Sequence, residues 1–187
     1  MVLNSVAVIA ACDAIGIPFE SAIKPLRTFI AVPGRGSVTA LRIDGGSAVV
    51  IDESYNANPL SMRAALAVVG GMPKEPWPGR RIAVLGDMLE LGPDAPRLHA
   101  ELATSIEHVG VDLVLMAGPN MRHLYDALPE AIRAKSTWKP TSADLEPVLL
   151  ATVRAGDVVM IKGSNGSRMA PLVAALIARH SPAKSAS

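Results

Sequence analysis

Three short, uninterrupted apolar runs constrain this chain more than any other feature: RIAVLGD at 81–87, DLVLMAG at 112–118 and DVVMIKG at 157–163. A strand without polar alternation is buried on both faces, which requires helices above and below a mostly parallel sheet. The intervening segments supply those helices, at 94–108, 120–127, 142–151 and 168–179, with a weak strand near 135–138. Upstream, SVTALRI and SAVVID, joined by Asp44, Gly45 and Gly46, read as a strand hairpin. Pro59 then opens a helix through SMRAALAVV that stops at Gly70 and Gly71. The expected fold is α/β, a doubly wound, mostly parallel sheet over residues 32–180, with a disordered tail at 181–187.

The first 31 residues follow a different pattern. Residues 4–15, NSVAVIAACDAI, have helical composition with small side chains on every face, which suits a helix packed closely among neighbours. Cys12 within it reads as a buried small hydrophobe. A short helix from Glu20, disturbed at Pro25, leads into the turn AVPGRG. The 187 residues include 29 alanines and only six aromatics, so the core must be built from small and branched aliphatic side chains. A net charge of +1 lacks the basic excess of a dedicated nucleic-acid binder. A single cysteine excludes an internal disulfide framework and a multi-cysteine zinc site, and fits a reducing compartment. No apolar run approaches the ~18–20 residues of a membrane span.

Ligands of an open parallel sheet bind outside the carboxyl ends of its strands. DESYNANP at 52–59 brings two carboxylates, a phenol and two carboxamides to one strand-to-helix turn. The bland reading is an Asx-rich turn and helix cap. The functional one lets Asp52 or Glu53 hold a ribose hydroxyl or a metal ion while Asn56 and Asn58 grip a carboxylate or amide. KGSNGSRM at 162–169 offers Lys162, glycines, hydroxyls and backbone amides before a helix, which is anion-binding chemistry or an ordinary Gly-Ser loop. Neither a G-x-x-x-x-G-K-[ST] loop nor a G-x-G-x-x-G motif occurs. Asp87 and Glu90 in GDMLELG can orient a polar partner but read better as solvating a loop, and Arg35 between glycines is a solvated turn that a ligand can also approach closely. His99, His108 and His123 have no partner at catalytic spacing and read as surface or packing residues.

In order and spacing, NSVAVIAA, PGRG, IDESYNANPLSMRAAL, GRRIAVLGDMLELG, GVDLVLMAG and VMIKGSNGSRM resemble the carboxyl-terminal part of the bacterial Mur ligases, specifically the branch that adds D-alanyl-D-alanine. The resemblance covers the chain except its tail. It implies a cytoplasmic, ATP- and Mg2+-dependent enzyme of peptidoglycan precursor synthesis. There ATP activates the terminal carboxylate of UDP-N-acetylmuramoyl-tripeptide as an acyl phosphate, and the amine of D-alanyl-D-alanine attacks it. It also implies that residues 1–31 close a central ATP-binding domain and that a Rossmann-like domain follows, with no part for nucleic acid or membrane.

By position, Asn4 is similar to an adenine-contacting asparagine, Arg35 to an arginine that reaches nucleotide phosphate on domain closure, and Asp52 or Glu53 to an acidic residue at the ribose. Asn56, Asn58, Lys162, Gly163 and Ser164 fall where the incoming dipeptide and its carboxylate are expected. The implied hinge is 31–36. The family's phosphate-binding loop, magnesium ligands and modified lysine would all precede residue 1. These 187 residues are therefore expected to rely on upstream ligase domains and not to catalyse ligation alone; the alternative is a stand-alone module that binds a dipeptide or nucleotide without turnover.

Overall fold

The structure is a computed structural model that describes residues 2–25 and 32–180, without the side chains of Val2, Leu3 and Asn4. The chain divides between Ala31 and Val32 into two compact units. The expected tail at 181–187 lies outside the described residues, as does Ala31 of the expected hinge.

In the first unit α1 (Val2–Ala14) packs against α2 (Phe19–Ile23). Its two helices leave much apolar surface uncovered: Val6, Val8, Ile15 and Phe19 are all exposed. Cys12 is half-buried rather than buried, because a face of alanines seals a neighbouring thiol poorly.

The second unit is built on a sheet whose order, among the described residues, is β1-β2-β6-β3-β4-β5. The hairpin of β1 (Ser37–Ile43) and β2 (Gly46–Glu53) supplies the antiparallel pair. The remaining pairs are parallel, formed by β2, β6 (Val158–Lys162), β3 (Arg81–Gly86), β4 (Leu113–Ala117) and β5 (Thr137–Lys139). Every residue of β3, β4 and β6 is buried, as their apolar interiors require, and the burial extends to Arg81 at the start of β3 and Lys162 at the end of β6.

Alternate strand residues face two cores. Val49, Ile51, Ala83, Leu85, Val114, Met116, Val158 and Met160 pack under α3 (Pro59–Gly70), α5 (Leu102–Val109) and α6 (Met121–Ala127). Val50, Ile82, Val84, Leu115, Val159 and Ile161 pack under α8 (Ser142–Thr152) and α9 (Ala170–Arg179).

The expected helix 94–108 is three pieces: a 3-10 turn at Gly92–Asp94, then α4 (Ala95–Ala100) and α5, joined at Glu101. A short α7 (Glu130–Arg133) precedes β5. The expected helix 168–179 begins at Ala170, because Asn165–Ser167 form a 3-10 turn and Arg168 turns left-handed at φ 54°. No described helix is long and apolar enough to cross a membrane.

Topology then selects the site. The connections leaving β2, β3 and β4 run to the first face, whereas those leaving β5 and β6 run to the second. Strand β6 lies between β2 and β3, so its loop diverges from both neighbours at the carboxyl edge. Such reversals open the crevice in which doubly wound sheets hold ligands.

Candidate functional site at the carboxyl edge of the sheet

Three strand-end segments meet at this crevice, and hydrogen bonds engage several of the sequence-derived candidates. Asp52 is buried and spent on its own turn. Its Oδ2 accepts from the Gly34 amide at 2.9 Å, and its Oδ1 accepts from the Ser54 amide at 3.0 Å and hydroxyl at 2.6 Å. The Asp52 carbonyl accepts from the Gly36 amide at 2.7 Å, so this aspartate holds the PGRG turn against the end of β2. Gly34 has to be glycine here: its φ is +79°, and a Cβ would lie 2.8 Å from that of Tyr55. Arg35 is thereby presented at the surface, with its guanidinium 4.2 Å from the centre of the exposed Tyr55 ring.

Glu53 is partly exposed, and its carboxylate lies 3.6 Å from Lys162 Nζ. Lys162 itself is buried, donating to the Asn56 carbonyl at 2.8 Å. Burial pushes its ammonium below the ordinary lysine value, and the Glu53 charge opposes that shift. The lysine therefore ties the β2 and β6 loops together from beneath and does not open to solvent. Asn58 caps α3: its Oδ1 accepts from the Ser61 amide at 2.8 Å while Ser61 Oγ accepts from the Asn58 amide at 3.0 Å. Asn56 is exposed, its Oδ1 accepting from the Ala57 amide at 2.8 Å.

Ser164 joins three loops. Its amide donates to the Asp87 carbonyl at 3.0 Å, and its hydroxyl accepts from the Leu89 amide at 2.9 Å and reaches the Ala57 carbonyl at 3.4 Å. Gly163 and Gly86 let β6 and β3 approach under Ser167 and Met169; a Cβ on Gly163 would lie 2.4 Å from Ser167 Oγ. Asp87 is buried and caps α6, accepting from the amides of Asn120 at 3.2 Å and Met121 at 2.9 Å, so it orients polar partners and does not merely solvate a loop. The side chain of Asn4, on α1, lies outside the described residues.

Beside these junctions is a cavity of about 290 Å³, lined by residues that include Asp87, Leu89, Pro119, Pro140, Ser142 and Arg168. Its walls carry apolar surface from Leu89 and the two prolines. Among the described residues, the Arg168 guanidinium has no hydrogen bond or ion pair, and its backbone holds a left-handed conformation that side chains rarely adopt. Arg168, Leu89 and Ser142 were not singled out from the sequence. Arg168 lay inside a noted motif, but only the turn at 165–167 shows that it leaves the helix and faces the cavity edge.

Residues 35–165 match the family model described as Mur ligase, glutamate ligase domain. The UDP-N-acetylmuramoyl-tripeptide--D-alanyl-D-alanine ligase of Rickettsia prowazekii is 30% identical over 170 residues, which are 91% of this chain and 36% of that protein. The ligase of the same name from Escherichia coli is 29% identical over 176 residues, 94% of this chain and 36% of that protein. A crystal structure of MurF from Acinetobacter baumannii superposes with a TM-score of 0.80 at 26% identity, covering 94% of this chain and 37% of that one. The fold is shared with the ligase MurF of Thermotoga maritima, solved with ADP, at a TM-score of 0.61. The chain thus spans little more than a third of the length of the relatives it matches. With the family model matching well over half of its residues, this chain belongs to the Mur ligase family.

Proposed function

We propose that this chain serves as the carboxyl-terminal part of an ATP-dependent ligase that joins D-alanyl-D-alanine to UDP-N-acetylmuramoyl-tripeptide, and that its own share is to seat the incoming dipeptide and close over the nucleotide. The observation that carries the reading is the cavity at the carboxyl edge. A small zwitterionic peptide with methyl side chains needs a cation for its carboxylate, apolar walls for its methyls and a volume of a few hundred Å3. Arg168, then Leu89, Pro119 and Pro140, and a space of about 290 Å³ supply these in turn. Ser142 adds a hydroxyl at the rim.

The dipeptide seat therefore shifts from the residues expected at first. Lys162, Gly163, Ser164 and Asn58 act as the frame that fixes the loops, because their polar groups or their space are already taken. Asn56 stays exposed at the margin. On the nucleotide side the accessible groups are Arg35 for phosphate and Glu53 for a ribose hydroxyl. Asp52, saturated by three donors, is left with the turn. When bound, ATP supplies the leaving group that makes a carboxylate reactive, and the exposed guanidinium of Arg35, held over Tyr55, is available to offset negative charge on its phosphates. Magnesium finds no group of three metal-ligating side chains among the described residues, so its ligands are sought outside them.

Titrating the isotope-labelled chain with D-alanyl-D-alanine tests this seat. Saturable amide shifts are expected at Leu89, Ser142, Ser167 and Arg168, with L-alanyl-L-alanine much weaker. No shifts, or shifts confined to the opposite edge of the sheet, would contradict it.

A further inference from the structure

His99, read from the sequence as a surface or packing residue, is fully buried on α4 and makes two directed contacts. Its Nδ1 lies 2.6 Å from the Ala95 carbonyl oxygen, an acceptor, so Nδ1 carries the proton. Nε2 is then the unprotonated nitrogen, and it accepts from the Met88 amide at 3.0 Å. Met88 stands between two residues that shape the cavity. Asp87 caps α6 and accepts from the Ser164 amide, while Leu89 donates to the Ser164 hydroxyl and lines the cavity wall. The backbone of this loop is thus held on one side by Ser164 and on the other by the histidine.

We propose that His99 is a positioning residue for the acceptor cavity: its unprotonated Nε2 fixes the Met88 amide and so holds Leu89 and Asp87 in place, and protonation of the ring releases them. This rests on the reading of the cavity as the dipeptide seat. An imidazolium presents N–H on both sides, so Nε2–H would face the Met88 N–H, donor against donor, and the loop must move. The groups facing the ring from packed elements are the Asp87 carboxylate, which favours the proton, and His123 of α6, which disfavours it. Asp94, Arg97 and Glu101 lie exposed on its own segment. Burial outweighs these charges and holds the ring below its ordinary value of 6.5. The sign follows: the ordered loop is fully present above that value and is lost as pH falls through the lowered one.

The test uses the 187-residue chain, isotope-labelled, with His99→Gln and His99→Leu, followed by D-alanyl-D-alanine titration at about pH 7.5 and about pH 5.5. Glutamine keeps an acceptor near the position of Nε2 but does not titrate. The wild type is expected to bind the dipeptide more weakly at the lower pH, by up to about tenfold, the equivalent of one hydrogen bond, in proportion to the fraction of ring protonated there. His99→Gln should bind equally at both values, and His99→Leu should be about tenfold weaker at both. In the wild type the ring should show the Nδ1–H tautomer, and the Met88 and Leu89 amides should lose exchange protection on acidification. A leucine variant that binds like wild type, or a glutamine variant with the wild-type pH profile, would overturn the proposal. Should the wild type bind no dipeptide at neutral pH, the cavity reading falls. The positioning claim is then decided by the Met88 and Leu89 amides, which must lose protection in the leucine variant and keep it in the glutamine variant.

Discussion

Replacing Arg168 with glycine is expected to stabilise the protein and cripple its use of the dipeptide. The left-handed backbone at φ 54° costs a residue with a Cβ about 1 kcal/mol and costs glycine nothing. The side chain makes no compensating contact among the described residues, so Arg168→Gly should raise the melting temperature by about 2–4 °C. The same change removes the one unpaired cation lining the cavity among its described residues. A charge-assisted hydrogen bond to a carboxylate contributes about 1.5–3 kcal/mol, so KM for D-alanyl-D-alanine should rise about 10- to 100-fold in the chain joined to upstream ligase domains. KM for ATP should stay unchanged. Stability rising while acceptor binding falls is the signature of a strained residue kept for its ligand; an unchanged KM would assign Arg168 to the surface.

The second large effect concerns Arg81, whose side chain is fully buried at the start of β3 without a carboxylate partner. Its guanidinium donates to four carbonyls, those of Met72, Pro73, Trp77 and Gly79, at 2.8–3.0 Å. These carbonyls belong to the MPKEPWPG segment, which has no regular structure of its own and is organised around this one fork. Arg81→Met preserves much of the volume but takes the guanidinium donors away from four partly buried carbonyls. A loss of about 3–5 kcal/mol is expected, corresponding to a fall of about 10 °C in melting temperature. Thermal melts of Arg81→Met and Arg80→Met separate this role from simple charge. Arg80 pairs with Asp157 at 2.6 Å while remaining partly exposed, so its loss should cost less. Equal losses would contradict the four-carbonyl account.

The sheet was legible because its strands are apolar on both faces, a pattern that leaves one architecture open. Local signals also placed the hairpin at Asp44–Gly46 and the start of α3 at Pro59, since a glycine turn and a proline at a helix start act over a few residues. The site was legible only as to place. Composition drew attention to DESYNANP and KGSNGSRM, but whether a polar side chain faces a ligand or its own backbone depends on partners far away in sequence. Asp52 is engaged by Gly34, 18 residues upstream, and Lys162 by Asn56, 106 residues away. The sequence shows His99 only as a surface or packing residue, because its partner is the backbone amide of Met88, which no pattern of side chains discloses. Arg168 escaped for a related reason: the pattern continued a helix through it, whereas the 3-10 turn before it turns the chain out.

The most direct test of the central claim is ADP release with UDP-N-acetylmuramoyl-tripeptide, D-alanyl-D-alanine, ATP and magnesium, measured for this chain alone and for the chain joined to the upstream domains of a related ligase. The account predicts dipeptide-dependent ADP release by the joined protein and none by the chain alone. Silence in both, or turnover by the chain alone, would contradict it.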